Sequence, residues 1–371
     1  MTAPRASAVA PDPAGAAVAG GTEDTYLTWL YVPGDRPAVV AKALRSGADV
    51  VLVDLEDAVA PERKAYALAA TAELLGEPRP GAVPVHVRVN ALAGPLADGE
   101  LRTLAPLPGL AGLRLPKTGG RDEVLRVATA VLAARAGAPV PTGRTRHRTP
   151  APGSTAPGDR PGPADPDGGP GTAGPDPGSA PGAGPRPGPA GAGGIPAPPL
   201  GHPATGGVPP LYPLLESALG IERAYEIAGA HPAVRGIALG EADLRAELGV
   251  ADDAGLAWPR SRAVVAARAA GLAPPAQSVY PDVADLDGLA RSCAAGRALG
   301  FLGRTAIHPR QLPVIERAFL PTVREVERAE EIVAAAATDA GALALPDGRF
   351  VDAAVVAGAR RTLRLARRLT A

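Results

Sequence analysis

Cysteine is nearly absent from this 371-residue chain: Cys293 stands alone. That excludes an internal disulfide and any cysteine-cluster metal site. Its setting, LARSCAAGRALG, is helical and suits plain packing. Lysine is almost as scarce, since Lys42, Lys64 and Lys117 are the three examples among 38 basic residues. Arginine abundance is therefore uninformative, and Lys117, closing the apolar run GLRLPK, draws more notice. Neither sign of charge is in excess, because 38 acidic residues balance the basic ones. No overall field is available to hold nucleic acid or an anionic membrane. No stretch of about 18 residues is apolar without a charge or a proline, and the alanine-rich start lacks the leucine-rich core of a signal peptide. These absences lead to the expectation of a cytoplasmic protein without a nucleic-acid or membrane partner.

What is present falls into three parts. Residues 1–24 are rich in Ala, Pro and Gly without periodicity, which reads as a disordered tail. From 139 to 210 come 21 of the 44 prolines, mixed with Gly, Ala, Ser and Asp. The stretch 139–207 is expected to be a low-complexity disordered insertion, because it has almost no side chains able to build a core. The remainder, 25–138 and 208–371, is close to the ~250 residues typical of one (β/α) barrel. It alternates β-rich runs with Ala, Leu and Arg-rich segments at helical spacing. Eight strand candidates emerge: YLTWLYV (26–32), DVVLVDL (49–55), VPVHVRV (83–89), LRLPK (113–117), PLYPLLE (210–216), VRGIALG (234–240), QSVY (277–280) and FLGRTAI (301–307). The fold class expected is α/β, a single (β/α)8 TIM barrel with a C-terminal helical extension. An open doubly wound sheet is the rival, but no GxGxxG loop follows the first strand candidate.

In such barrels chemistry collects where the strands end. PGDR (33–36) follows the first candidate, DLEDAV (54–59) the second, Arg88 and Asn90 end the third, and Lys117 ends the fourth. Glu216 follows the fifth, Glu241 and Asp243 the sixth, Tyr280 and Asp282 the seventh, and His308 the eighth. Each has a bland reading as well. Asp243 suits a helix N-cap, Glu216 a helix start, His308 a turn, and Arg88 a structural partner for Glu56 or Asp57.

The ordered blocks LYVPGDRP, VVLVDLEDAVAPERK, VHVRVN, LRLPK, PLLESALG, IALGEADL, SRAVVAARAAGL, SVYPDVADLDGL and GFLGRTAIHPRQ resemble the citrate lyase beta-subunit-like family of CoA-ester lyases, which includes malyl-CoA and citramalyl-CoA lyases. The resemblance implies a (β/α) barrel, assembled as a homotrimer, that breaks or forms a carbon–carbon bond in 3-hydroxyacyl thioesters. It implies Mg2+ as cofactor, with Glu216 and Asp243 as ligands, and Arg88 as the substrate-binding arginine. Asp54, Glu56 and Asp57 would lie near the metal, Arg36 and Lys117 would line the mouth, and His308 and Pro309 would lie near the CoA end. Asp352, in DGRFVDAAVV, resembles an aspartate that reaches a neighbouring subunit's site, although a helix N-cap fits it equally. Ser217 and Leu239 depart from the threonine and phenylalanine frequent in the family.

The residue chemistry agrees with that resemblance. Two carboxylates without a Cys or His pair form an oxygen site suited to magnesium rather than zinc. Arg88 is a permanently charged fork that can meet an oxyanion or a carboxylate. The expected reaction is cleavage of a malyl-CoA-like thioester to an acyl-CoA and a 2-oxo acid. Alternatives are a malyl-CoA thioesterase or malate synthase outcome, and a citrate lyase beta subunit working on an acyl carrier protein. The base that takes the hydroxyl proton stays open among water at the metal, the DLEDAV carboxylates and Asp352.

Overall fold

Strand alternation sorts the core of this protein onto two faces of one parallel sheet. The computed structural model describes residues 26–78, 82–137, 207–338, 343–344 and 348–369. These belong to a unit comprising 1–141 and 197–371, while a second unit, 142–196, lies outside the described residues. The expected tail at 1–24, and the expected insertion at 139–207 except Gly207, also fall outside them. The sheet strands are β1 (Thr28–Pro33), β2 (Val50–Asp54), β3 (Val85–Arg88), β4 (Leu110–Leu115), β5 (Leu211–Leu215), β6 (Ala238–Leu239) and β7 (Arg304–Ala306). Their order is β6-β5-β4-β3-β2-β1-β7, and every pair is parallel.

Helices alternate with these strands: α1 (Pro37–Ala43), α2 (Lys64–Leu75), α3 (Ala97–Leu104), α4 (Arg121–Arg135), α5 (Ala218–Glu222), α6 (Ala224–Ala228), α7 (Glu241–Leu248), α8 (Ala257–Ala269), α9 (Leu286–Ala298) and α10 (Leu312–Phe319). A C-terminal extension follows, made of α11 (Val323–Thr338), β8 (Leu343–Ala344), β9 (Phe350–Val351) and α12 (Ala353–Ala366). It has its own small core of Ala329, Ile332, Val351, Val356 and Ala359. No helix among the described residues is long and apolar enough to cross a membrane.

The eight expected strands appear as seven ladder strands and one bridge among the described residues. QSVY contributes a single parallel bridge, Gln277 to Arg304, and no ladder. Prolines at 274, 275 and 281 flank it, removing donors and restricting their neighbours. Along the seam between β6 and this segment, the Glu241 N–H donates to Ser278 Oγ at 3.3 Å. What stands among the described residues is a seven-stranded parallel sheet, extended beyond β7 by one bridge.

One strand phase faces the helices. Leu30, Val32, Val51, Val53, Val85, Val87, Leu113 and Leu115 pack with Val40, Leu75, Leu101, Val127 and Ile315 in the main core. The other phase is different in kind. Trp29 and Val50 form a separate cluster with Ala276, and the remaining inward positions include Tyr31, His86, Arg88, Arg114 and Tyr212. Pro33, Asp54, Arg88, Arg114 and Tyr212 are successive ladder partners from β1 to β5. The His86 ring lies 4.8 Å from that of Tyr212, and the Arg114 guanidinium lies 4.6 Å from the Tyr212 ring.

Docking β7 against β1 depends on Gly303. Its φ is +80°, and an added Cβ would collide with the Leu27 backbone, beside the Arg304 N–H to Leu27 O bond of 2.8 Å. Gly303→Ala combines left-handed strain with an unrelieved clash, so it is expected to destabilise by about 2–4 kcal/mol. Calorimetry would show the drop in Tm, and a wild-type Tm would refute the account of this joint.

Candidate active site

The carboxyl ends of β2, β3, β4 and β5 bring most of the expected polar residues together. Asp54 is the last residue of β2 and is almost fully buried. Arg88, the last of β3, donates to it through Nε at 2.8 Å and Nη2 at 2.6 Å, a two-pronged pair of the stronger kind. Asp54 also accepts the N–H groups of Glu56 and Ala58, so the DLEDAV turn winds around its carboxylate. Arg88 Nη1 lies 3.0 Å from Glu56 and 3.2 Å from Asp57. The arginine thus pairs with Asp54 as well as with both partners considered from the sequence. Burial works against its cation, and the carboxylates of Asp54 and Glu56 outweigh that effect.

Lys117 connects this cluster to the next. It is the non-glycine residue with positive φ among the described residues, at 50°, a strained backbone of the sort that persists where surroundings over-determine it. The turn aims its N–H at Glu216 Oε2, 2.6 Å away, while its Nζ reaches Glu56 Oε1 at 3.0 Å and Asp57 at 3.6 Å. Glu216 follows β5 and is buried. Its Oε1 has no hydrogen-bond donor among the described residues, and it lies where any Cβ on Gly240 would collide with it. Gly240 immediately precedes α7, whose first turn carries Asp243. Burial, with nearby Glu56 and Asp243, pushes the Glu216 carboxyl up to about 7. Burial also raises Glu56, against the pull of Arg88 and Lys117.

The donor set suits a hard divalent cation. Asp54, Glu56, Asp57, Glu216 and Asp243 face two cations, Arg88 and Lys117. Asp243 makes no ion pair or hydrogen bond among the described residues, and neither does Glu216 Oε1. No group of three or more His, Cys, Asp or Glu placed to hold a metal occurs among the described residues. A cation here would therefore rely on the Glu216 and Asp243 pair and fill its remaining positions from water or substrate, as magnesium does.

The other expected residues stand apart from this cluster. Arg36 is exposed at the start of α1. His308 uses Nδ1 to accept the Arg310 N–H, and Pro309 opens the turn after it. Asp352 caps α12 by accepting the Val355 N–H at 2.9 Å. Two participants had not been singled out from the sequence. Arg260 of α8 holds Glu241 at 2.9 and 2.6 Å, which anchors the helix start that carries Asp243. Tyr31 of β1 lies under the Arg88 guanidinium, 5.1 Å from it.

Residues 27–309 match the family model described as HpcH/HpaI aldolase/citrate lyase. The citrate lyase subunit beta of Leuconostoc mesenteroides subsp. cremoris is 27% identical, over 91% of this chain and 92% of its own length. The L-malyl-CoA/beta-methylmalyl-CoA lyase of Cereibacter sphaeroides is 27% identical, over 92% and 95%. Among solved structures, protein CitE of Mycobacterium tuberculosis in complex with magnesium, acetoacetate and coenzyme A is 25% identical. It aligns with a TM-score of 0.63 over 92% of this chain and 98% of that one.

The raised Glu216 carboxyl has a consequence for stability. The native state holds this proton over a window, from the ordinary 4.5 to about 7, in which the unfolded chain has released it. Stability of the chelator-treated protein should therefore fall as pH rises through that window. Glu216→Gln should flatten this slope in urea unfolding followed from about pH 4.5 to about pH 8. An unchanged slope in the variant would assign the effect to another group.

Proposed function

Because the chain belongs to the HpcH/HpaI aldolase/citrate lyase family, we propose that it is a magnesium-dependent carbon–carbon lyase. Its substrate on this reading is a malyl-CoA- or citramalyl-CoA-like 3-hydroxyacyl thioester, cleaved reversibly to an acyl-CoA and a 2-oxo acid. The observation that carries the reading is the pair of Asp243 and Glu216, of which the Asp243 carboxylate and Glu216 Oε1 have no donor among the described residues, in a mouth where carboxylates outnumber cations. Magnesium, held by these two side chains, would orient the oxo-acid half and stabilise the oxygen that becomes its carbonyl. The names of the malyl-CoA lyase and of the magnesium, acetoacetate and coenzyme A complex support this choice.

In the cleavage direction the substrate hydroxyl loses its proton and its oxygen becomes a carbonyl. The electron pair of the breaking carbon–carbon bond passes to the thioester as an enolate, which is then protonated on carbon. No net oxidation occurs. Arg88 is held by Asp54 so that its plane cannot turn, and a remaining Nη2 hydrogen is free for an anionic substrate oxygen. Asp57, with a side chain 56% exposed, can swing away and release a second donor from Nη1. Glu56, raised by burial and bonded to Lys117, is the side chain in this cluster best suited to exchange a proton. Arg36, the free Nε2 edge of His308, and Pro309 are proposed to meet the CoA end. The same reading takes the Gln277 segment as the eighth strand of a closed barrel, the protein as a cytoplasmic homotrimer, and Asp352 as contributed to a neighbouring subunit.

Mixing the protein with magnesium, acetyl-CoA or propionyl-CoA, and glyoxylate or pyruvate tests the reading. A lyase accumulates the 3-hydroxyacyl thioester, whereas a thioesterase releases free CoA. Activity only with an acyl carrier protein thioester would point to a citrate lyase beta subunit. Glu216→Ala and Asp243→Ala should each lower turnover by about a hundredfold or more while leaving circular dichroism unchanged. Near-wild-type activity of either variant at limiting magnesium would rule out the proposed ligand pair. Arg88→Lys keeps the charge but loses the fork on Asp54, so kcat should fall by about 10²-fold. Unchanged kcat with a raised KM would reduce Arg88 to a residue that merely binds the ground state.

A further inference from the structure

Tyr31 is an aromatic side chain beside Arg88 that the mechanism above does not use. It lies on β1, whose alternate residues Leu30 and Val32 pack into the main core against the helices. Tyr31 takes the opposite phase, beside its register partner Leu52 and beneath Arg88, whose guanidinium is 5.1 Å from its ring. The residue is half-buried, and its hydroxyl makes no hydrogen bond among the described residues. By contrast, Tyr280 donates its hydroxyl to Asp285 at 2.6 Å, and Tyr212 lies near the start of its strand, against His86. Tyr31 therefore presents an unused donor next to the arginine of the site.

Burial pushes this phenol up to about 12, and the charges of Arg88, Arg114, Asp54 and Glu216 all act on it. At neutral pH it is a protonated donor close to the site's charged groups, polarised by two guanidinium ions, and not a base. Position in the sheet indicates what it meets. Glu216 and Asp243 belong to the β5 and β6 ends, and β1 lies four places from β5 in the strand order, with Arg88 on β3 between them. If the oxo-acid half is held at β5 and β6, the acyl half of the substrate lies toward β1.

We propose that Tyr31 is a further catalytic residue, whose hydroxyl donates a hydrogen bond to the thioester carbonyl oxygen, where negative charge gathers as the carbon–carbon bond breaks. This rests on the lyase reading. The O–H proton stays on Tyr31 throughout, so the reaction's balance is unchanged. Since the charge on that oxygen grows on the way to the enolate, the bond strengthens in the transition state and acts on kcat rather than on KM.

Tyr31→Phe separates this role from simple packing, because it keeps the ring beneath Arg88 and removes only the hydroxyl. With malyl-CoA as the probe, kcat should fall by about ten- to a hundredfold, the value of one hydrogen bond to a charged group. KM for malyl-CoA and magnesium affinity by calorimetry should change by less than about twofold. Tyr31→Leu, which also removes the platform under Arg88, should lose more activity and raise KM. An active wild type matched in kcat by Tyr31→Phe defeats this inference alone. A wild type that neither cleaves nor forms any such thioester with magnesium present defeats the lyase reading, and this inference with it.

Discussion

The paired hydrogen bonds between Arg88 and Asp54 are the constraint on which the rest of the site depends. Asp54 is buried at the last position of β2 and ties down the N–H groups of Glu56 and Ala58 along with the guanidinium. That one carboxylate sets both the turn after β2 and the plane of Arg88. The turn then delivers Glu56 to Lys117, and the left-handed backbone of Lys117 delivers an N–H to Glu216. Glu216 is left facing Gly240 and the start of α7, where Asp243 sits. Each link places the next. A buried ion pair gives little net stability over a well-packed apolar pair, yet removing one partner costs about 3–5 kcal/mol. The pair is therefore better understood as a device for geometry than as a source of stability.

Much of this arrangement was legible before any coordinates, because strand ends in parallel βα units share one mouth and the polar residues fell there one after another. The ligand candidates, the arginine and the lysine could be placed that way. Partners could not. A guanidinium beside three carboxylates in DLEDAV has several pairings, and choosing Asp54 requires knowing that β2 ends on it in register with Arg88. Arg260 was invisible for a different reason: in a chain where nearly every basic residue is arginine, one more on a helix carries no signal. Tyr31 and Arg114 were hidden by strand phase. Reading β1 and β4 as apolar runs misses that alternate positions face the inner side of the sheet, where Leu30 and Tyr31 have opposite surroundings.

Local backbone demands account for the expected residues that stand apart. His308 and Asp352 each begin a helical turn, and each accepts an N–H two or three residues on. Capping needs only a short-range acceptor, so such a residue satisfies its own helix before any ligand arrives. The two roles are compatible, since a capping carboxylate retains a second oxygen and a capping imidazole its other nitrogen. Strand QSVY shows the reverse case, in which local chemistry prevails over pattern: prolines on both sides reduce it to one bridge.

The inner phase of the sheet also holds a cation that is not a partner of the acidic mouth. Arg114 is buried, its side chain makes no ion pair or hydrogen bond among the described residues, and its charge rests on the faces of Tyr212 and Trp29. Desolvation lowers its pKa, so the position works against stability when taken alone. Its ladder partner is Arg88, which is already engaged with Asp54, Glu56 and Asp57. The Arg114 charge acts on its aromatic neighbours instead, opposing the rise that burial imposes on the Tyr31 and Tyr212 hydroxyls and adding to the burial that lowers the His86 imidazole. The acidic mouth is balanced by direct partners, Arg88 and Lys117, which fix Asp54 and Glu56 and leave Asp243 and Glu216 Oε1 without a donor among the described residues.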